Sequence, residues 1–260
     1  MKIFFLIALV LSLMSLIIYK YQHKLIFFPE VLPRDFVFTF KYPFEEIFLK
    51  TEDDSEIHGL FFHAKKPKGV VLYFHGNAGS LRTWGQISEN FLPFGYSILI
   101  MDYRDYGKSS GSLSEKNLLR DSQTAYDFLK SKVDEKKIII YGRSIGTGVA
   151  VYLATRTNPR MLILESPFTS LVEIAKFHYP FLPSSLLKFR FFSEEWIGNI
   201  QCPAYLFHGT EDAIIPIRFG ENLAKMNPGK VKFLRISHGG HNDLSEFPEY
   251  WENLRDIIGN

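Results

Sequence analysis

Six short apolar runs recur along the chain, each four to six residues long. Runs of this length without a polar alternation predict strands that are covered on both faces, as in a parallel sheet. The runs are Gly69–Phe74, Ser97–Met101, Ile138–Tyr141, Met161–Leu164, Ala204–Phe207 and Val231–Ile236.

The segments between these runs predict helices. In Ser114–Lys130, small and apolar residues recur at helical spacing, which indicates one buried face. Upstream, Glu46–Lys50 and Glu56–Ala64 flank a turn-like Glu-Asp-Asp-Ser sequence and predict a β-hairpin. Strands that alternate with helices predict an α/β sheet flanked by helices. The other predicted helices are Leu81–Phe91, Gly146–Thr155, Ile217–Ala224 and Pro248–Ile258.

One segment, residues 168–200, breaks this alternation. It separates the Met161–Leu164 run from the Ala204–Phe207 run and is rich in aromatic residues. We predict a small, mostly helical cap with an apolar face. Its aromatic residues are Phe168, Phe177, Tyr179, Phe181, Phe189, Phe191, Phe192 and Trp196.

The N-terminus differs from the rest of the chain. Ile3–Tyr19 is 17 residues without a charge, apolar apart from two serines and the terminal tyrosine. A helix of that length reaches ~26 Å, the short end of what crosses a bilayer. The alternative, a cleaved signal peptide, needs small residues at its cleavage site, whereas residues 20–24 are all large. We therefore predict a transmembrane anchor over residues 1–20, making a single-pass membrane protein, with the side of the catalytic domain left open.

Composition narrows the function classes. The 30 lysines and arginines nearly balance the 28 aspartates and glutamates, so the electrostatic footprint of a nucleic-acid partner is missing. A hydrophobic fraction of 46% is enough for a substantial core. Cys202 is the single cysteine, which excludes a disulfide within the chain, and its place before an apolar run predicts a buried side chain.

The sequence Gly-Arg-Ser-Ile-Gly at residues 142–146 points to a nucleophilic serine. A Gly-x-Ser-x-Gly pattern alone is weak, since it arises by chance in roughly one chain in ten of this length. Here it directly follows a predicted strand and precedes a predicted helix, the setting that a nucleophile elbow requires. We predict that Ser144 is the nucleophile.

A serine hydroxyl needs a base within hydrogen-bond reach. His241 lies in a glycine-containing loop after the last predicted strand, where an imidazole can project over the carboxyl ends of the strands. His238, closer to the strand end, is the alternative. We predict His241 as the base.

The base in turn needs a carboxylate to orient it. Asp212 follows the Ala204–Phe207 strand, and the order serine, aspartate, histidine is the one used by hydrolases with this elbow. Three alternatives remain: the adjacent Glu211, Glu165 at the end of the preceding strand, and Asp243 close to the histidine. We predict Asp212.

An acyl-transfer site also needs an oxyanion hole. The backbone N–H of Ile145, directly after the serine, supplies one donor, and the loop after the third strand supplies the other. We assign that second donor to Asn77, in the His-Gly-Asn-Ala-Gly sequence at 75–79. The Asp-Tyr-Arg-Asp-Tyr-Gly sequence at 102–107 is predicted to be structural, with Arg104 pairing a carboxylate and Asp102 bonding loop amides.

Together these segments resemble the Bem46-like branch of the α/β-hydrolases. The resemblance rests on HGNAG, DYRDYGKSSG, GRSIG, ESPFTS, HGTEDAIIP and GGHND, and on LIFFPE after the N-terminal segment, and it spans essentially the whole chain. It implies an eight-stranded, mostly parallel sheet over a domain at 21–260, the cap at 168–200 after the sixth strand, and a triad of Ser144, Asp212 and His241. Two departures are small: Asp105 stands where the branch usually has glycine, and Thr147 follows the elbow where glycine is common.

The expected activity is hydrolysis of carboxylic esters or thioesters through an acyl-enzyme. No cofactor and no metal are expected, because neither a dinucleotide fingerprint nor a metal-ligand cluster is evident. The aromatic cap favours a small-molecule or lipid-like acyl substrate, with the bilayer as the partner of the anchor. Two alternatives use the same fold: an acyltransferase with the same triad and a non-catalytic, membrane-anchored binding module.

Overall fold

An eight-stranded β-sheet forms the centre of the protein. The structure, a computed structural model, describes residues 2–259, apart from the side chains at positions 2, 3, 7, 8, 11 and 14. Met1 and Asn260, at the ends of the predicted anchor and domain, lie outside the described residues. The strands are β1 (Phe44–Lys50), β2 (Glu56–Phe62), β3 (Gly69–Phe74), β4 (Tyr96–Met101), β5 (Ile138–Arg143), β6 (Met161–Glu165), β7 (Ala204–Gly209) and β8 (Val231–Ile236).

The order of strands across the sheet is β8-β7-β6-β5-β3-β4-β2-β1. β3 to β8 are parallel to one another, and β2 is antiparallel to both β1 and β4. The predicted hairpin and the predicted eight-stranded, mostly parallel sheet are confirmed. Because β3 to β8 point the same way, the loops that follow them gather at one edge.

Ten α-helices are described, and the longer ones flank the sheet. Short 3₁₀ turns lie at Gly85–Ile87, Leu92–Phe94, Glu135–Lys137, Ser184–Leu186, Ile197–Asn199 and Leu244–Glu246. The helices are α1 (Lys2–Tyr21), α2 (His23–Ile26), α3 (Leu81–Trp84), α4 (Ser88–Phe91), α5 (Glu115–Lys130), α6 (Ile145–Ala154), α7 (Leu171–His178), α8 (Ser193–Trp196), α9 (Arg218–Lys225) and α10 (Pro248–Gly259).

The core lies on both faces of the sheet. In β3, Val70, Leu72 and Phe74 join one buried cluster with α5 and α6, while Val71 and Tyr73 join a second cluster on the opposite face. Successive side chains of a strand point to opposite faces, so a strand covered on both sides needs apolar residues at every position. This is why the apolar runs of the sequence show no alternation.

One predicted helix, Leu81–Phe91, is divided into α3 and α4 by a 3₁₀ turn that begins at Gly85. Glycine is a poor residue for a helix interior, and here its missing side chain has a packing use. A Cβ at Gly85 would collide with the ring of Phe40. The helix is therefore broken where the chain ahead of β1 packs against it.

The N-terminal segment forms α1, but the predicted transmembrane anchor is not supported. Within the described residues, no helix is both long enough and apolar enough to span a membrane.

The chain between α1 and β1 lies on the domain and contributes to its core. Phe27, Leu32 and Phe38 are buried, and Phe28–Pro29 forms a short parallel pair with Ala78–Gly79. Two of its aromatic residues therefore pack into the domain core, Phe27 in one buried cluster and Phe38 in the other.

The cap segment, residues 168–200, holds α7, α8 and two 3₁₀ turns. Six of its eight aromatic residues fall into two groups, and Phe192 and Trp196 are half-buried. Phe168, Phe189 and Phe191 are buried against the main domain, and a Cβ on Gly148 of α6 would collide with Phe191. In the middle of the segment, Phe177, Tyr179 and Phe181 are exposed, Phe181 by 97%.

The Asp-Tyr-Arg-Asp-Tyr-Gly loop after β4 has the predicted structural role. Arg104 is buried and pairs with Asp121 and Asp53, each at 2.7 Å. The Asp102 carboxylate accepts the Leu81 N–H at 3.1 Å. Asp105 has a φ of 67°, a left-handed conformation that favours glycine, which explains why the resembling branch usually has glycine there.

Candidate active site

Ser144 lies in the tight turn between β5 and α6, at the edge where the parallel strands end. Its φ of 53° and ψ of −120° are a strained conformation for a residue with a side chain. The turn is held because the Ser144 N–H donates to the Glu165 carbonyl and the Thr147 N–H donates to the Ser144 carbonyl, both at 2.9 Å. A Cβ on Gly146 would collide with the carbonyl oxygens of Phe74 and His75. The predicted elbow geometry is therefore present.

The structure brings His241 onto this serine. His241 Nε2 lies 2.9 Å from Ser144 Oγ, and His241 Nδ1 lies 2.8 Å from Asp212 Oδ2. A carboxylate only accepts, so Nδ1 carries the proton and Nε2 is the acceptor that faces the serine hydroxyl. The loop reaches this position by passing tightly over the end of β7, where a Cβ on Gly209 would collide with the Gly239 carbonyl.

Asp212 is fixed from both of its oxygens. Oδ1 accepts the N–H groups of Ile214 and Ile215 at 3.0 and 2.8 Å, and Oδ2 faces His241. Burial raises the pKa of this carboxyl, but hydrogen bonds from His208 and His241 outweigh burial and hold the pKa well below its usual range. The group is thus an anion, placed to orient and stabilise the imidazole.

Comparison with known proteins places the chain in a family. A family model described as serine aminopeptidase S33 matches residues 65–195, half of the chain. The chain belongs to the α/β-hydrolase family. The resemblance to its Bem46-like branch is confirmed by relatives in the α/β-hydrolase domain-containing group.

Three relatives illustrate how this α/β-hydrolase aligns with others. An uncharacterized protein of Mycobacterium tuberculosis is 34% identical over 242 residues, 91% of this chain and 86% of that protein. Lysophosphatidylserine lipase ABHD12 of Danio rerio is 35% identical over 239 residues, 79% of this chain and 61% of the lipase. Alpha/beta hydrolase domain-containing protein 17C of Mus musculus is 33% identical over 221 residues, 82% of this chain and 67% of that protein.

Solved structures share the fold. An esterase of Pyrococcus furiosus superposes with a TM-score of 0.71 at 19% identity and covers 88% of this chain and 98% of its own. An acetyl xylan esterase of Paenibacillus sp. R4 superposes with a TM-score of 0.69 at 17% identity, covering 86% of this chain and 87% of its own. At this level of identity the likeness concerns the fold alone.

The alternative site residues have other partners in this hydrolase. His238 and Glu211 pair with each other at 2.8 Å, with 83% and 63% of their side chains exposed. Asp243 accepts the Gly240 N–H at 2.6 Å and so shapes the loop that carries His241. None of these three side chains is bonded to Ser144 or His241 among the described contacts.

Glu165, the remaining alternative acid, belongs to a buried network that sequence reasoning missed. It pairs with Arg143 at 3.0 Å and accepts the hydroxyls of Tyr141 and Tyr250 at 2.6 and 2.9 Å. The network stabilises the turn at Ser144, because Arg143 and Tyr141 belong to β5, which leads into that turn, and Glu165 ends the neighbouring β6. The sequence did contain a signal for this pair: an arginine inside the Gly-x-Ser-x-Gly motif and a glutamate directly after the next predicted strand.

A second missed residue is His208, the last but one residue of β7. Its Nε2 lies 2.7 Å from the Ile215 carbonyl and 3.4 Å from Asp212 Oδ2, and the side chain is fully buried. It thus lies beside Oδ2, the same Asp212 oxygen that faces His241. Its place in the same short motif as Asp212, four residues earlier, is the signal that could have found it.

The two predicted oxyanion donors lie in segments that adjoin Ser144. Ile145 is the first residue of α6, and the first N–H groups of a helix have no partner within the helix. Asn77 is half-buried in the loop after β3. A Cβ on the preceding Gly76 would lie 3.8 Å from the Ser144 Cβ, so this loop passes directly beside Ser144.

Other reactive groups lie away from this edge or are isolated. Among the described residues, no group of three or more histidine, cysteine, aspartate or glutamate side chains is arranged to hold a metal ion. Cys202 is buried, as predicted, and burial raises the pKa of its thiol to about 11. The thiol is therefore protonated at neutral pH and a poor nucleophile.

Proposed function

We propose that this protein is a serine hydrolase that cleaves carboxylic ester or thioester bonds of lipid-like or acylated substrates. The observation that carries the proposal is the unbroken line of contacts from Ser144 Oγ through His241 to Asp212, at 2.9 and 2.8 Å. A nucleophile bonded to a base that is itself bonded to a buried carboxylate is the arrangement that acyl transfer requires.

The proposed reaction has two steps. Ser144 Oγ attacks the substrate carbonyl carbon while His241 Nε2 takes the hydroxyl proton, and Asp212 stabilises the resulting imidazolium. The negative charge that develops on the carbonyl oxygen faces the N–H groups of Ile145 and Asn77. His241 then protonates the leaving alcohol or thiol, which leaves an acyl-serine. A water molecule repeats the sequence and releases the acid and the free serine.

Two observations support a lipid-like substrate. The Danio rerio relative, which aligns with 79% of this chain, is named a lysophosphatidylserine lipase. In addition, the cap inserted after β6 exposes Phe177, Tyr179 and Phe181. Exposed aromatic residues this close together in the chain favour contact with an apolar ligand or partner.

The first test is covalent labelling by a fluorophosphonate, combined with hydrolysis of p-nitrophenyl esters. We expect the wild-type chain to be labelled once and to lose both labelling and roughly three or more orders of magnitude in turnover on Ser144→Ala. Ser112→Ala, at an exposed serine, is the matched control and should behave as wild type. Wild-type turnover in Ser144→Ala would refute the proposal.

Chain length tests the substrate class. Each methylene that the site accepts should add up to about 0.8 kcal/mol to transition-state binding, so kcat/KM should rise from acetyl to at least hexanoyl esters. Lysophospholipids and acyl-thioesters belong in the same series. Activity that is highest on acetyl esters and falls with chain length would rule out the lipid-like substrate while leaving the hydrolase intact. Faster transfer to an added alcohol than to water would indicate an acyltransferase instead.

A further inference from the structure

The loop that carries Asn77 is held by a segment from far upstream. Residues 22–32, which we call the brace, run alongside it as the parallel pair Phe28–Pro29 with Ala78–Gly79. The pair is held by two backbone hydrogen bonds: the Phe28 N–H donates to the Asn77 carbonyl and the Glu30 N–H donates to the Gly79 carbonyl, both at 2.9 Å. The loop thus has a continuous backbone partner along its length.

Asn77 is fixed through its side chain as well. Asn77 Nδ2 donates to the Ile26 carbonyl of the brace at 2.8 Å. The Asn77 carbonyl accepts a second hydrogen bond, from the Tyr106 hydroxyl, at 2.7 Å. Side chain and carbonyl are therefore both committed to structural contacts, and the backbone N–H is the group left to face the substrate.

The peptide before Asn77 is fixed in the same way. His75 Nδ1 donates to the Gly76 carbonyl at 2.6 Å. In a planar trans peptide the N–H points opposite to the C=O, so holding the Gly76 carbonyl also sets the direction of the Asn77 N–H. His75 is itself fully buried, with Nε2 3.3 Å from Asp102 Oδ1.

The other end of the brace is attached to the cap. Gln22 is 3% exposed; its Nε2 donates to the Leu186 carbonyl at 2.8 Å, and its Oε1 accepts the Lys188 N–H at 2.7 Å. The rings of Phe27 and Phe189, both buried, lie 4.8 Å apart. One short segment thus contacts both the cap and the loop beside the nucleophile.

We propose that the brace, with Tyr106, is a positioning element that aims the Asn77 N–H at the substrate oxyanion. It also holds the cap in a fixed position relative to that N–H. The inference rests on the proposed function, because it assigns the brace a role in acyl transfer. Asn77 then has two roles: its backbone N–H contacts the substrate, and its side chain fixes the position of that N–H.

The test separates positioning from folding. Asn77→Ala keeps the backbone N–H and removes the bond to Ile26. We therefore expect kcat to fall about 10- to 100-fold, which is at most about the effect of losing an oxyanion donor outright. KM should stay within about twofold. A trifluoromethyl ketone, which forms a tetrahedral adduct on the serine, should bind more weakly by the same factor. The carboxylic acid product should bind unchanged. Val37→Ala, at an 80% exposed residue outside the brace, is the control and should match wild type.

Two further variants keep the proposal testable if Asn77→Ala does not fold. Tyr106→Phe removes one hydroxyl and should lower kcat and ketone binding together, by about threefold to tenfold. Gln22→Ala detaches the cap end and should produce the same paired loss, about threefold. Unchanged kcat and ketone binding in the folded variants, or equal weakening of ketone and acid, would overturn the proposal. A wild-type chain that neither hydrolyses esters nor reacts with a fluorophosphonate would overturn the proposed function, and the role of the brace with it.

Discussion

Two carboxylates lie at or just after the ends of adjacent strands, and their hydrogen-bond partners differ. Asp212 follows β7 and is bonded to His241 and His208. Glu165 ends β6 and is bonded to Arg143, Tyr141 and Tyr250. Both are buried, so burial alone does not distinguish a group that acts on a histidine from one that holds the scaffold.

The difference lies in what each carboxylate can do for Ser144. Asp212 contacts the imidazole that contacts Ser144, so in the proposed reaction its charge would act on the proton that moves. Glu165 contacts the Ser144 turn through its backbone, whose carbonyl accepts the Ser144 N–H, and through its ion pair with Arg143. We therefore propose that one carboxylate affects rate and the other stability, and three measurements test this division.

The largest expected effect is on turnover in Asp212→Asn. An amide in place of the carboxylate favours the wrong tautomer of His241 and removes the counter-charge of the imidazolium, so kcat should fall by about 10⁴-fold. Steady-state hydrolysis of a p-nitrophenyl ester measures this. Folding should be retained, as judged by circular dichroism, because the backbone N–H groups of Ile214 and Ile215 keep an acceptor.

The same division predicts that Glu165→Gln affects stability first. Removing one charge from a buried pair leaves Arg143 without its partner, which typically costs about 3 kcal/mol or more. Urea unfolding should show that loss, with kcat within about tenfold of wild type in the folded fraction. Tyr250→Phe removes one hydrogen bond from the same network and should cost about 1 kcal/mol. If Glu165→Gln lowered kcat more than Asp212→Asn, the two assignments would have to be exchanged.

Acid unfolding gives a smaller effect. The pKa of Asp212 is lowered in the folded state, so its carboxylate stabilises the fold above the ordinary aspartate value of about 3.9, and the contribution is lost as pH falls through the folded pKa. The difference in unfolding free energy between wild type and Asp212→Asn should therefore be full at pH 6 and shrink below about pH 4. A difference that grows toward acid pH would contradict the charge state assigned to Asp212.

Much of the fold could be predicted from the sequence because its core strands carry a strong local pattern. Val70 to Phe74 are apolar at every position since both faces of β3 are covered, and that requirement is visible in the residues themselves. The order of the strands is different. β3 lies between β4 and β5, an arrangement that long-range packing sets and that the local pattern of apolar residues does not contain.

The site was predictable to the extent that its residues lie in short motifs at strand ends. Ser144, Asp212 and His241 each follow a predicted strand, so a common sheet edge brings them together. The partners of Glu165 could not be inferred, because Tyr250 comes from α10, 85 residues further along the chain. The contact of Ile26 with Asn77 likewise joins residues 51 positions apart. The predicted membrane anchor rests on the composition of one segment, and no helix among the described residues supports a span.

The smallest expected effect concerns His238 and Glu211, a surface pair made of the alternative base and one of the alternative acids. The side chains of His238 and Glu211 are exposed by 83% and 63% and, among the described contacts, bond only to each other, and a surface ion pair contributes at most about 1 kcal/mol. His238→Asn should therefore leave kcat and KM within about twofold of wild type, because asparagine tolerates the φ of 61° at this position. His241→Asn, the same substitution three residues later, should lose roughly three or more orders of magnitude in kcat. When both variants are measured on one ester at one pH, the difference between their kcat values reports the contact of His241 with Ser144 Oγ. Comparable losses in both variants would mean that the loop, and not the His241 imidazole, limits the reaction.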